Sequence, residues 1–95
     1  MMDWGQRVAE FYQRTGTDQR IGPVHISVYF ALLHQAGKTG TNLLLPVREN
    51  LMALAKIRST ATYHKVLREL HLYGYIEYRP NFRKGFTRII LVDFL

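Results

Sequence analysis

From Arg48 to Arg88 the chain carries a run of hydrogen-bonding side chains: Arg48, Arg58, Ser59, Thr60, Thr62, His64, Lys65, Arg68, Arg79, Arg83, Lys84 and Arg88. Guanidinium and ammonium groups only donate hydrogen bonds, whereas hydroxyl and imidazole groups can donate or accept. Their shared chemistry is to neutralise phosphates and to hydrogen-bond base edges. The net charge of +6 is unevenly spread: nine Lys/Arg face four Asp/Glu from Arg48 onward, against four and three before it. An excess of positive charge in one half of a chain suits a polyanionic partner. Double-stranded DNA is the partner this pattern predicts.

Other chemistries find little to work with. The seven acidic residues are scattered, which leaves no carboxylate pair for acid–base catalysis. His25, His34, His64 and His71 form no ligand group at metal spacing, and no cysteine assists them. There is no Gly-rich phosphate loop, no Gly-x-Ser-x-Gly and no His-Glu-x-x-His. Tyr63 invites comparison with the nucleophile of tyrosine recombinases, but the Arg/His constellation is missing and its spacing makes it a core residue. The expectation is therefore a protein that is not an enzyme, with no catalytic residues, no metal and no cofactor.

Ninety-five residues bound the chain to one small domain. A hydrophobic fraction of 47% with 13% aromatics excludes wholesale disorder. The absence of cysteine rules out a disulfide framework and fits a reducing compartment. No apolar run approaches the ~18–20 residues of a membrane span, and no secretory signal is evident. A cytoplasmic protein without membrane contact is expected.

The elements that must position the donors follow from periodicity. Asp3 to Arg14 places Trp4, Val8, Phe11 and Tyr12 on one stripe of an amphipathic helix, with Asp3 as its cap and Gly16 at its end. After a polar turn, Pro23 opens a second helix with Val28, Tyr29, Leu32, Leu33 and Ala36 on one face, and Gly37 is expected to stop it. Leu43-Leu44-Leu45 reads as a short strand closed by Pro46. The next helix shows Val47, Leu51, Leu54 and Ala55 on one face, and Lys56-Ile57-Arg58 makes a turn plugged by Ile57. Ser59 caps a further helix, 59–73, that buries Tyr63, Val66, Leu67 and Leu70 and turns Thr60, Thr62, His64, Lys65, Arg68 and Glu69 outward. Gly74 ends it. Residues 75–79 and 86–94 read as a hairpin around an 80–85 loop.

The predicted fold class is α+β, mostly α: a winged helix-turn-helix, with a three-helix core plus a β-hairpin wing, and an extra N-terminal helix. Residues 1–16 form that helix and 23–95 the winged-helix domain. The first helix of such a pair braces the second, whose exposed face enters the major groove. Thr60, Thr62, His64 and Lys65 are the base-reading candidates. Ser59, at the positive end of the helix dipole, would hold a phosphate, with Arg48 and Arg58 on flanking phosphates. Arg79, Arg83, Lys84 and Arg88 surround the hairpin tip, where they can clamp the backbone or enter the minor groove. A basic helix in isolation reads more readily as a solvated face. Here its place between a bracing helix and a hairpin favours contact. Phe82 fits either packing beneath the loop or touching the sugar backbone. The stripe Trp4, Val8, Phe11, Tyr12 fits packing within the monomer, and also fits a homodimer contact.

The segment from Leu45 to Ile76 resembles the winged-helix domains of bacterial GntR- and MarR-type regulators. It shares their short strand, Pro, bracing helix, Ser-opened recognition helix and Leu-x-x-Leu-x-x-x-Gly-hydrophobic exit, here Leu67-Arg68-Glu69-Leu70-His71-Leu72-Tyr73-Gly74-Tyr75-Ile76. It is also similar to short winged-helix proteins of bacterial mobile elements, including DnaD-like replication organisers, whose preceding helix is matched by Ile26 to Ala36. The resemblance implies a sequence-specific DNA-binding protein, in the first instance a small transcriptional regulator. Replication or excision of a mobile element, or a protein–protein adaptor role, are the alternatives. The contacts carry over to Ser59, Thr60, Thr62 and Lys65. Val47 stands where the pattern has a Ser or Thr cap, and the turn before Ser59 is one residue longer, so Arg48 and Arg58 match less closely. With no effector domain expected after the wing, ligand sensing of the GntR kind has no evident seat.

Overall fold

A computed structural model of the chain describes residues 3–81, 83 and 86–92. Four helices and a small antiparallel sheet run in the order α1 (Trp4–Thr15), α2 (Pro23–Thr39), β1 (Leu43–Leu44), α3 (Arg48–Ala55), α4 (Thr60–Leu72), β2 (Ile76–Arg79) and β3 (Arg88–Leu91). The fold is α+β and mostly helical.

α1 starts where the Asp3 carboxylate accepts the Gln6 N–H at 3.0 Å. It packs within the monomer. Phe11 is fully buried, stacked on Tyr29 at 4.1 Å between ring centroids and edge-on to Tyr75 at 5.6 Å. Trp4 and Val8 lie against the same core, while Tyr12 is 48% exposed. Two arginines fasten the helix at long range. Arg7 is buried and donates to the Val92 carbonyl at 3.0 Å, and Arg14 donates to the carbonyls of Tyr73 and Gly74 at 2.8 and 3.1 Å. Arg14 thus serves the C-terminal end of α4, where a cation complements both the free carbonyls and the helix dipole.

α2 is the central helix. Pro23 occupies its first turn, and His25 Nδ1 accepts the Gly22 N–H at 3.0 Å. All five residues expected on its inner face are buried, with Ala31 added. Its end differs from the expectation. The helix runs through Gly37 to Thr39, and Gly40, left-handed at φ 72°, is the stop. Gly37 keeps helical geometry and lies beneath the Trp4 indole, where a Cβ would sit 3.9 Å from the ring.

α3 also departs from its predicted stripe. Leu51 and Ala55 are buried and Met52 packs against the core, but Val47 and Leu54 are exposed. At 100° per residue, Val47 and Leu54 share the flank turned away from Met52, so only the other half of the apolar face is covered. Val47 makes no side-chain cap bond. Ser27 Oγ donates to the Ala55 carbonyl at 2.6 Å, tying the end of α3 to α2.

In the sheet β3 is central, pairing with β1 on one side and β2 on the other. Among the described residues the hairpin is shorter than expected: β2 begins at Ile76, and β3 spans Arg88–Leu91, starting two residues after the expected 86, while 93–94 lie outside the described residues. Phe86 and Thr87 belong to the connection, where Thr87 Oγ1 accepts the Asn81 N–H at 3.2 Å and donates to the Asn81 carbonyl at 3.3 Å. A side chain that closes the loop on itself in this way ends the ladder early. Ile76, Ile89, Leu91 and Leu44 point into one core with Phe11, α2 and the inner faces of α3 and α4. Among the described residues no helix is long and apolar enough to cross a membrane.

Candidate nucleic-acid interface

The turn between α3 and α4 is built from backbone. Lys56 adopts the left-handed region at φ 61°, and the Ile57 N–H reaches back to the Met52 carbonyl at 2.9 Å. Ser59 then starts α4, its Oγ accepting the Thr62 N–H at 3.2 Å. Tyr63, Val66, Leu67 and Leu70 are all buried, as expected. Burial pushes the Tyr63 hydroxyl up to about 12, and the nearby Arg48 guanidinium opposes this only in part.

The two flanks of α4 are occupied by the protein. On the α2 side, His25 Nε2 donates to the Glu69 carboxylate at 3.0 Å, while His25 Nδ1 already accepts from Gly22. Glu69 is therefore half-buried and engaged rather than turned to solvent. Thr62 is half-buried on the same flank. On the sheet side, His71 Nδ1 accepts the Tyr78 N–H at 3.0 Å and anchors the hairpin to the helix. His64 lies above Tyr63, ring centroids 5.3 Å apart, and is half-buried too. Thr60 is exposed at the helix start.

The outermost stripe of α4 is Ala61, Lys65, Arg68 and Leu72, within an arc of about 60° opposite the buried face. All four are exposed, Leu72 to 77%. Lys65, Arg68 and Leu72, with the engaged Glu69 and His71 at its edges, join Tyr78 and Pro80 around an open groove of about 510 Å³ between α4 and β2. Burial raises the Tyr78 hydroxyl above its ordinary value, with the Arg68 guanidinium pulling the other way, so the phenol stays protonated and able to donate. Among the described residues neither Lys65 nor Arg68 has a carboxylate partner.

The hairpin contributes two opposed arginines. Arg79 and Arg88 are directly paired across β2 and β3, on the face away from the core, where like charges repel. Glu77 relieves Arg79 alone, at 3.1 Å. Arg83 lies exposed in the connection, its guanidinium 5.9 Å from the Phe86 ring. Arg58 is exposed in the α3–α4 turn, and Arg48 is half-exposed and bonds the neighbouring Glu49 at 3.3 Å. Lys84 and Phe82 lie outside the described residues.

The structure thus brings Lys65 and Arg68 together at a groove bordered by Tyr78 and Pro80, and puts the opposed arginine pair on the other face of the same hairpin. It gives Thr62 and His64 less solvent than the sequence suggested. Ala61 and Leu72 were legible in principle, standing one turn to either side of Lys65 and Arg68. Tyr78 and Pro80 enter the groove only through the tertiary contact between hairpin and helix. Comparison with protein-family models, curated proteins and solved structures finds no match to this chain.

Proposed function

We propose that this chain is a winged-helix protein that binds duplex DNA, laying the outer face of α4 in the major groove with the β2–β3 hairpin on the adjoining backbone or minor groove. The observation that carries this reading is the exposed pair Lys65 and Arg68, without carboxylate partners among the described residues and bordered by a hairpin with two mutually repelling arginines. Cations held in this way lose nothing internal when a phosphate or base edge approaches, and the arginine pair gains. Ser59, Thr60, Arg48 and Arg58 lie at or before the start of the same helix and supply backbone-directed contacts. Arg83, with Lys84, does the same from the hairpin connection. Regulation of transcription is the simplest use of such binding. Marking a replication or excision site of a mobile element is the other, and sequencing of genomic fragments retained by the protein separates promoter from origin.

Salt dependence tests the reading directly. With three or four phosphates neutralised per chain, the affinity for a fluorescent duplex should fall with salt at a log–log slope of about −3 to −4, at roughly 0.9 per contact. A slope near zero would remove the proposal. One observation favours a second reading, a protein adaptor: Leu72, Tyr78 and Pro80 give the groove an apolar lining. Failure to bind duplex at low salt, with retention of an acidic protein partner, would select it.

A further inference from the structure

The residues that face outward on α4 restrict what a duplex can offer them. With Glu69 tied to His25 at 3.0 Å on one flank, and the exposed His71 holding the Tyr78 N–H at 3.0 Å through Nδ1 on the other, the outermost arc consists of Ala61, Lys65, Arg68 and Leu72. The helix contains no Asn, Gln or Asp, and its one carboxylate is the engaged Glu69. The middle of the arc is therefore made of donors and apolar groups, with no acceptor. In the major groove guanine presents two acceptors, N7 and O6, and thymine presents the O4 acceptor with a 5-methyl group. Adenine keeps the N7 acceptor but replaces O6 by an amino donor, and cytosine presents an amino donor; these donors would be left unpaired against Lys65 and Arg68 at the cost of a desolvated hydrogen-bonding group.

We infer that α4 reads keto bases: Lys65 and Arg68 take the O6/N7 edges of guanines at neighbouring base pairs, and Ala61 meets the 5-methyl group of a thymine about one helical turn closer to the α4 N-terminus. Lys65 and Arg68 are separated by about 4.5 Å along the helix axis, close to the roughly 3.4 Å between successive base pairs. The specificity of the site is thereby moved from Thr60, Thr62 and His64 toward the centre of the helix. This inference rests on the duplex-binding reading.

The test is selection from a random duplex library on the intact protein, followed by titration of the enriched site with altered bases. Adjacent guanines should be enriched, and guanine-to-adenine exchange at either position should weaken binding about tenfold or more. Replacing guanine by 7-deazaguanine, which lacks the N7 acceptor, should also weaken binding at these positions. Replacing the thymine by uracil should cost about fourfold, the worth of one buried methyl. Arg68→Gln, an exposed substitution that supplies a donor and an acceptor, should turn the preference at one position from guanine to adenine and leave the other unchanged. Salt-dependent binding without base preference would overturn this inference and leave the duplex-binding reading standing. So would a preference for adenine or cytosine, or indifference to 7-deazaguanine. No binding at low salt would overturn both.

Discussion

Two residues in the left-handed region show how the helix ends that frame the candidate site are made, and they make opposite predictions. Lys56 at φ 61° and Gly74 at φ 86° each allow the following N–H to reach back five residues, Ile57 to Met52 and Tyr75 to Leu70, both at 2.9 Å. The geometry is shared but only one position has the residue suited to it. Lys56→Gly should relieve left-handed strain and stabilise the fold by about 1 kcal/mol, read as a higher denaturant midpoint. No change would mean that the unfolded-state entropy of the new glycine cancels the gain. Gly74→Ala should cost at least about 1 kcal/mol in backbone strain. Its Cβ would also stand 2.8 Å from Arg14 Nη2, displacing the guanidinium that serves the carbonyls of Tyr73 and Gly74. The penalty should therefore be smaller when measured in an Arg14→Met background. Equal penalties in the two backgrounds would show that the guanidinium moves aside freely.

At the scale of elements, the sequence was legible wherever one helix face decides the outcome. Ala31 apart, the buried residues of α2 and α4 are those that periodicity selects, and the Ser59 cap and the Gly74 exit stand where expected. It was less legible where a partner element decides. Gly37 looked like a helix stop because glycine is permissive, yet only the backbone shows that Gly40 carries the positive φ. Val47 and Leu54 read as core because periodicity cannot say which half of an apolar face will be covered. The extent of β3 depended on Thr87 bonding Asn81, and its central place in the sheet on a pairing with β1 across the whole of α3 and α4. The site divides in the same way: Lys65 and Arg68 follow from spacing, but the engagement of Glu69 by His25 does not. The hairpin carries its own prediction. Because Arg79 and Arg88 repel across the ladder, Arg88→Thr should raise stability by about 0.5 kcal/mol, while reducing the salt slope of duplex binding by about 0.9. A stability gain with unchanged binding would make the pair an idle feature of the hairpin and remove it from the proposed interface.

For the molecule as a whole, the polar cluster that joins the α1–α2 connection to the α4 exit should set one limit of the pH range of stability, and buried phenols the other. Asp18 accepts two hydrogen bonds from the Arg20 guanidinium, at 2.8 and 2.9 Å, and one from the Tyr75 hydroxyl at 2.8 Å. The Arg20 contact, with the Tyr75 hydroxyl and the Arg20 backbone N–H, holds the Asp18 carboxyl well below its ordinary 3.8. A carboxylate with a lowered folded-state value contributes stability that is fully present above the unfolded value and is lost as pH falls through the folded one. The loss should begin below about pH 4 and continue downward. Tyr75 and Tyr63 act in the opposite sense. Burial pushes each from 10.0 up to about 12, and donation to Asp18 adds to the effect at Tyr75. Their stability is complete below pH 10 and drains away as pH rises toward 12. The melting temperature should accordingly be flat through the neutral range and fall at both ends. Asp18→Asn separates the two causes, because an amide oxygen still accepts the Tyr75 hydroxyl but no longer titrates. It should lower the melting temperature near neutrality by removing the Arg20 pair, flatten the acid limb, and keep an alkaline limb from burial of Tyr63 and Tyr75, reduced by the loss of the Asp18 charge beside Tyr75. An acid limb parallel to that of the unmodified protein would place the acid sensitivity elsewhere than in this cluster. The alkaline limb would still report on the core shared by Phe11, Tyr29 and Tyr75, which fixes the exit of α4 and with it the hairpin.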